Sequence, residues 1–549
     1  MVSRRRKFHQ DRTTHSRVIL LTRNARSQVL VVTMFRQLKR LKLRIYQNMD
    51  FLTTNCSALI IVFFITWMII WLARRKSKQT LFTKYGIPGP KPHILSGNLF
   101  EFKGEGNPNE VFTTWLKKYG KIVGFYIGDD PQMLINDFNI IKHLFVKESR
   151  IFINRPKMVL DAWPLNETLL DLRNETWKRV RSVLTPTFSA IKIKQMTEIM
   201  NSKVDKLVKL IGKSSDDHRA FDMYTRVQGL TLDVIGHCAL AMNTNCQDDD
   251  DDPFLVSVRE FFKYSNNVAV LMVILFPPLK LILEFINNYL TSGRMTSLTV
   301  KNVKKVINYR RKHTEKKSID LLQLMIDSCD NKRSPSNKYL TDNEMIANAY
   351  MFLLAGYETT AASLALIFYL LATHQDIQDR LYEAVAHLKD KPHPSYDDIQ
   401  DIQYLDQVFN ECLRYYPPVT GFIARQCSAE CKMDELIIPK GVTVIAPIWE
   451  IQHDPRYWKN PWKFDPDRFA PEDKQDFNPS TFFPFGLGPR ICIGMRFAQI
   501  EVKLAMARVI LNYKLLTCEE TEIPLQLICP TVIINPKNGI ILKAERRKP

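Results

Sequence analysis

Cys492 is the residue of this 549-residue chain whose surroundings are hardest to explain as packing alone. It lies in Phe485-Gly-Leu-Gly-Pro-Arg-Ile-Cys-Ile-Gly494. Directly after it, Phe497, Ile500, Leu504, Ala507 and Leu511 recur at the three- and four-residue steps of a buried helix face. A thiol ahead of such a helix meets the positive end of its dipole, which favours the thiolate that metal ligation requires. Gly486, Gly488 and Gly494 permit tight turns and let a large planar group approach the backbone. Arg490, two residues away, is placed to pair with an acid on that group. A lone cysteine in a loop is usually inert, but that reading does not account for the whole run.

Two further constellations are weaker by themselves. In Ala355-Gly-Tyr-Glu-Thr-Thr360 an acid, Glu358, adjoins a hydroxyl, Thr359, which is the makings of a proton relay and equally of an ordinary polar helix turn. Gly356 inside a helix costs stability relative to Ala and needs a reason, and room for a small ligand would be one. Glu411 and Arg414, three apart, share a helix face, as many surface pairs do.

The elements that must position these groups are mostly helical. Thr341 to about Thr373 predicts the longest helix, with Thr341 and Glu344 as a capping box. Leu405 to Tyr415 predicts another, stopped by Pro417 and Pro418. Ile122–Ile127 and Val442–Ile448 are short β-like runs. Val268 to Leu283, broken by Pro277 and Pro278, is apolar enough for a core or a membrane surface. The fold class is therefore mainly α with a smaller β-rich part.

Composition is that of a globular protein, 45% hydrophobic and 24% charged. The net charge of +20 suggests nucleic acid until its distribution is read. Residues 1–48 hold 13 Lys and Arg against Asp11 alone, and removing their net +12 from +20 leaves +8. No nucleic-acid partner is expected. Ten cysteines without dense spacing indicate a reducing environment.

Residues 50–73 contain an apolar run, Ala58–Leu72, whose one polar side chain is Thr66, with two Trp near its end and Arg74, Arg75, Lys76 and Lys78 after it. They predict a transmembrane anchor with a cytosolic body. Residues 74–92 form a basic stop and a Pro-rich linker, and 93–549 a single catalytic domain. The basic arm 1–48 argues for the opposite orientation. It reads as an upstream extension, with Met49 as the working start, or alternatively as an organelle-import sequence.

The pattern F-x-x-G-x-R-x-C-x-G resembles the haem-ligand loop of cytochromes P450, and every fixed position matches. The resemblance covers about residue 50 to 549 and is greatest to the microsomal animal branch of drug and steroid hydroxylases. It implies haem b with Cys492 as axial thiolate, a ligand whose electron donation favours cleavage of dioxygen. It also implies haem contacts from Phe485, Arg490, Trp177, Arg181, Arg425 and Arg155, the arginines meeting the propionates. Thr359 matches the oxygen-activating threonine and Glu358 the adjacent acid. Glu411 and Arg414 would join Arg468 of Pro466-Asp-Arg-Phe469 in a network bracing the haem loop. Leu354, Ala355, Val419, Thr420, Gly421 and Ile423 would wall an apolar substrate site. The implied function is monooxygenation in the endoplasmic reticulum membrane, or alternatively in mitochondria. Electrons would come from NADPH through NADPH-cytochrome reductase, with cytochrome b5 as a further candidate partner. The alternative is a haem-thiolate isomerase or dehydratase working without reductase.

Overall fold

The computed structural model describes residues 59–547, apart from 103–106, 161–162, 241, 243, 250, 265–267, 290, 314–319, 331–338 and 472–477, together with a few positions between 33 and 46. Most of the basic arm and the start of the anchor lie outside the described residues. The chain divides into two units, 1–77 and 78–549. In the first, a helix from residue 59 exposes Leu59, Phe63, Phe64 and Ile69, and Trp67 stacks on Trp71 with ring centres 6.4 Å apart.

The second unit is mainly helical. Its helices include α1 (Asn174–Leu184), α2 (Ala190–Asp216), α3 (Met223–Leu240), α4 (Thr291–Lys312), α5 (Asp342–Thr373), α6 (Gln403–Tyr415) and α7 (Met495–Asn512). The principal sheet has four strands, β1 (Ile122–Ile127), β2 (Asp130–Ile135), β3 (Ala424–Gln426) and β4 (Thr443–Ile445), in the order β1-β2-β4-β3. β2 and β4 run parallel, Met133 opposite Val444, and the other pairs are antiparallel. The run expected as a strand over 442–448 is shorter, because Ile448–Gln452 folds as a helical turn after Pro447.

α5 starts where its capping box places it. The Thr341 side chain accepts from the Glu344 N–H, and the Glu344 carboxylate accepts from the Thr341 N–H at 2.9 Å. Almost every side chain of α5 is buried, since the helix runs through the main core between α3 and α7. It is the one helix among the described residues long and apolar enough to cross a membrane, and its burial identifies it as core. Gly356 is explained by this packing. A Cβ there would lie 2.8 Å from Ile235 Cγ1 of α3, so the missing side chain admits the neighbouring helix. Gly356 also lines the cavity described below, so this packing reason stands beside the room for a small ligand expected from the sequence.

The Pro-rich linker docks on the sheet. The Gly124 N–H donates to Pro88 O at 2.8 Å, and a Cβ on Gly89 would collide with Gly124 O. The broken apolar stretch forms helices Val268–Leu275 and Lys280–Tyr289, with Val268, Leu281 and Phe285 exposed.

Candidate active site

The loop before α7 is held by its own backbone. Cys492 N–H donates to Phe485 O at 2.9 Å, Gly486 N–H to Phe483 O at 2.8 Å and Ile491 N–H to Gly488 O at 3.0 Å. Gly488 has φ +68°, and a Cβ there would lie 2.1 Å from Phe145 O. Only glycine satisfies both conditions, so the loop is pinned against residue 145.

This loop floors a cavity of about 1400 Å³. The Cys492 sulfur is accessible, and what it opens onto is this cavity. Otherwise surrounded by protein, its thiol is pushed above the usual value by burial. The Gly494 N–H and the charges of Arg181 and Arg155 pull it down without prevailing. A stable thiolate here needs a cation at the sulfur itself, as a ligated metal supplies.

Four arginines line the same end. Burial lowers Arg490 to about 8 and Arg425 to about 9, with repulsion from Arg155 adding in both cases. Arg155 is lowered to about 10, by burial first and by Arg181 last, against the opposing pull of Cys492. Guanidinium groups keep their protons at neutral pH, so these shifts express a standing electrostatic cost. An anion among them would relieve it.

Their hydrogen bonds differ. Arg490 donates to the carbonyls of Ile153, Leu169 and Leu172 at 2.7–3.0 Å and stacks 4.0 Å above the Trp177 ring. Arg181 Nη2 donates to Ile491 O at 3.0 Å, and Arg425 Nη2 to Leu487 O at 3.2 Å. Arg155 Nε is buried with no hydrogen-bond partner among the described residues. Arg490, expected to meet an acid on the cofactor, thus has backbone carbonyls as its partners and ties the loop to residues 153–172.

The opposite wall comes from α5. Leu354, Ala355 and Thr359 line the cavity with Val419 and Ile423, as expected. Thr359 Oγ1 donates to Ala355 O at 2.6 Å. Glu358 is not on this wall. Consecutive helix positions diverge by about 100°, and its buried carboxylate accepts from Tyr224 Oη, Gln228 Nε2 at 3.3 Å and Asn535 Nδ2 at 2.9 Å. Burial pushes that carboxyl up, and these three donors pull it partly back.

Thr420 and Gly421 also depart from expectation, since neither lines the cavity. Thr420 N–H donates to Val532 O at 2.9 Å, and its hydroxyl lies 3.7 Å from Cys529 Sγ. Gly421 takes φ +68° in the turn between Val419 and Ile423. The turn sends Thr420 toward the C-terminal segment, while the atom nearest a Cβ on Gly421 would belong to Phe112.

Glu411, Arg414 and Arg468 do come together. Arg414 Nε and Nη2 grip both Glu411 oxygens at 2.7 and 2.8 Å, and Arg468 Nε approaches Oε1 at 3.3 Å. The network's other partners are Gln452 O, Asn460 O and the Asp465 N–H. It therefore fastens α6 to residues 452–468. It reaches the cysteine loop only through rings, Phe469 lying 4.9 Å from Phe482.

The residues present fit a planar, dianionic, metal-bearing group. An accessible thiol, four guanidiniums of which those of Arg425 and Arg490 are buried, and an orphaned Arg155 Nε share one cavity end, while no Asp or Glu lines the cavity among the described residues. No cluster of three or more His, Cys, Asp or Glu is available among the described residues to hold a bare ion. A metal at Cys492 must bring its own ligands.

The family model described as Cytochrome P450 matches residues 87–544. The chain belongs to the cytochrome P450 family. Among similar proteins, cytochrome P450 3A7 of Homo sapiens is 36% identical over 474 residues, 85% of this chain and 92% of that protein. Cytochrome P450 3A13 of Mus musculus is 36% identical over 470 residues, covering 85% and 92%. Cytochrome P450 3A31 of Mesocricetus auratus is 37% identical over 480 residues, covering 86% and 93%.

As a cytochrome P450, the chain is a haem-thiolate monooxygenase that takes electrons from a reductase partner and oxidises apolar small molecules. The mostly helical architecture with its small β part is the fold of that family. Sequence reasoning missed part of this P450's cavity wall, notably Phe188, Phe352, Phe422, Val532 and Ile533. The Val419–Ile533 bridge and its flanking bonds, Thr420 N–H to Val532 O and Ile534 N–H to Pro418 O, bring the C-terminal segment here, and no local pattern announces it.

Proposed function

We propose that Cys492, as thiolate, would hold the iron of haem b and that the arginine quartet Arg155, Arg181, Arg425 and Arg490, with Trp177 and Phe485, would seat the porphyrin. The accessible sulfur at the centre of an uncompensated cationic floor carries this reading. When bound, the haem activates dioxygen for insertion of one atom into substrate. The chain's own residues do the rest. Arg155 offers an unpaired N–H to a propionate. Leu354, Ala355, Val419 and Ile423 exclude water and press an apolar body toward the floor. Thr359 Oγ1, on the cavity face of α5, hands a proton into the cavity. Glu358, whose carboxyl burial pushes up, is the proton reserve behind it. Glu411, Arg414 and Arg468 are structural.

NADPH is the electron source through NADPH-cytochrome reductase docking on the cysteine side, with cytochrome b5 as an accessory donor. The exposed apolar helix from residue 59 anchors the chain in the endoplasmic reticulum membrane with the body cytosolic. Residues 1–48 act as a separate extension and 74–92 as stop and linker. The test is reconstitution of haem-loaded protein with the reductase. Product formation should require NADPH and reductase together, and turnover of a lipid peroxide with neither would refute the monooxygenase assignment. Thr359→Ala should cut product by about a hundredfold, the lower end for a positioned proton-transfer group. Oxygen consumption should continue, with hydrogen peroxide released.

A further inference from the structure

Several lysines along the cavity wall have no task in the reading above. Lys301, Lys304 and Lys305 stand on α4 at the i, i+3 and i+4 positions that share a helix face, and all three line the cavity. Ser297 precedes them and Asn308 follows on the same stripe, while Val303 and Ile307 on another stripe are buried in the core. Lys157 joins them from the segment after Arg155. Lys304 Nζ lies 5.1 Å from the centre of the Trp163 ring, so α4 and that segment meet at the cavity wall.

Three lysines on a helix are ordinarily a solvated face, and all three are exposed. Their neighbours nonetheless set them apart. The last turn of α4 carries paired charges, Arg310 with Asp320 at 2.7 Å and Arg311 with Asp342 at 2.8 Å. No described carboxylate lies within ion-pair distance of Lys301, Lys304 or Lys305. The cavity lining holds eight Lys and Arg and, among the described residues, no Asp or Glu. Haem propionates would meet the arginines of the floor, and Lys301, Lys304 and Lys305, on another element, would remain in excess. Apolar wall from Phe261, Phe262, Phe352, Leu354 and Val419 completes the lining.

We propose that this cavity selects amphipathic anions, with a carboxylate or sulfate head held by Lys301, Lys304 and Lys305 and the apolar body directed toward Cys492. Oxidation then falls on the body away from the acid, because the head is retained at the lysines. This deepens the monooxygenase reading and rests on it.

The experiment is a binding titration of haem-loaded protein at low ionic strength, read through the haem absorption band. Two matched pairs are compared: dodecanoate with dodecanol, and a steroid sulfate with the free steroid. At least one anion should bind roughly tenfold tighter than its neutral partner, since several modest exposed ion pairs add. That preference should shrink on raising salt to about 0.5 M. Which pair shows it identifies carboxylate or sulfate. The combined Lys301→Gln, Lys304→Gln, Lys305→Gln variant should lose the preference while binding the neutral partner as before. The matching Glu variant should favour dodecyltrimethylammonium instead. Equal binding of acid and neutral partner by the unmodified protein overturns the proposal. A preference that survives the Gln variant overturns it too. So does a variant that loses only affinity for phosphatidylserine vesicles, which would make the lysines a membrane contact. Loss of any haem signal with the neutral ligands would instead sink the cofactor assignment.

Discussion

Two buried charge clusters of this protein have opposite characters. In the Glu411–Arg414–Arg468 cluster, Glu411 and Arg414 are wholly buried and every named guanidinium bond ends on a carboxylate or carbonyl. In the Arg155–Arg181–Arg425–Arg490 cluster like charges face one another, one Nε has no hydrogen-bond partner and no carboxylate lines the cavity among the described residues. The first is complete without a ligand and the second is not. Burial alone does not distinguish a brace from a binding site. Electrical completeness does, because an unpaired buried charge is too costly to persist unless something else neutralises it.

The sharpest way to break this comparison is at the sulfur. Cys492→Ser should abolish the thiolate signature of the CO-bound reduced protein and reduce turnover to background, while the fold survives by circular dichroism. A thiolate spectrum persisting in that variant would remove the open cluster's purpose. Arg414→Ala should act oppositely. By stranding the Glu411 carboxylate it should cost about 3–5 kcal/mol of stability in a denaturant titration.

Arg155→Met sharpens the contrast, because removing one of several like charges leaves the haem-free protein at least as stable. Haem affinity should nonetheless fall by roughly tenfold, the worth of one charge-assisted hydrogen bond, as measured by haem transfer to an apo-globin. Destabilisation of the apo form comparable to that of Arg414→Ala would erase the distinction.

Glu450 offers the smallest and most graded test. One of its oxygens accepts from Thr113 Oγ1 at 3.3 Å and the other is orphaned, so it lies between the two extremes. Burial pushes its carboxyl up from 4.5 to about 8. Between those values the folded protein holds a proton that the unfolded chain has lost, so stability falls as pH rises through this window and levels off above it. Glu450→Gln should flatten that slope, and an unchanged slope would show that the orphan is hydrated.

The sequence revealed what is local. The cysteine loop is contiguous, so its purpose could be read from ten residues. The Thr341 capping box and the Glu411–Arg414 pair are likewise fixed by spacing on one helix. What stayed hidden depends on distant chain. Tyr224, Gln228 and Asn535 turn Glu358 away from the cavity wall, and none of them adjoins it in sequence. Thr420 and Gly421 were misplaced because a turn, rather than a strand, carries the chain past the wall. The packing of Gly356 against Ile235 is a contact between two helices more than a hundred residues apart. The fold class was legible because periodicity is local. The far side of the cavity was not, because it is assembled from four or five separate segments.

The hydroxyl of Thr359 has a single hydrogen, and it is occupied by the carbonyl one turn earlier in its own helix. On the proposed relay that bond has to open before a proton leaves the hydroxyl, so an acceptor in the chamber would first have to outcompete the Ala355 carbonyl.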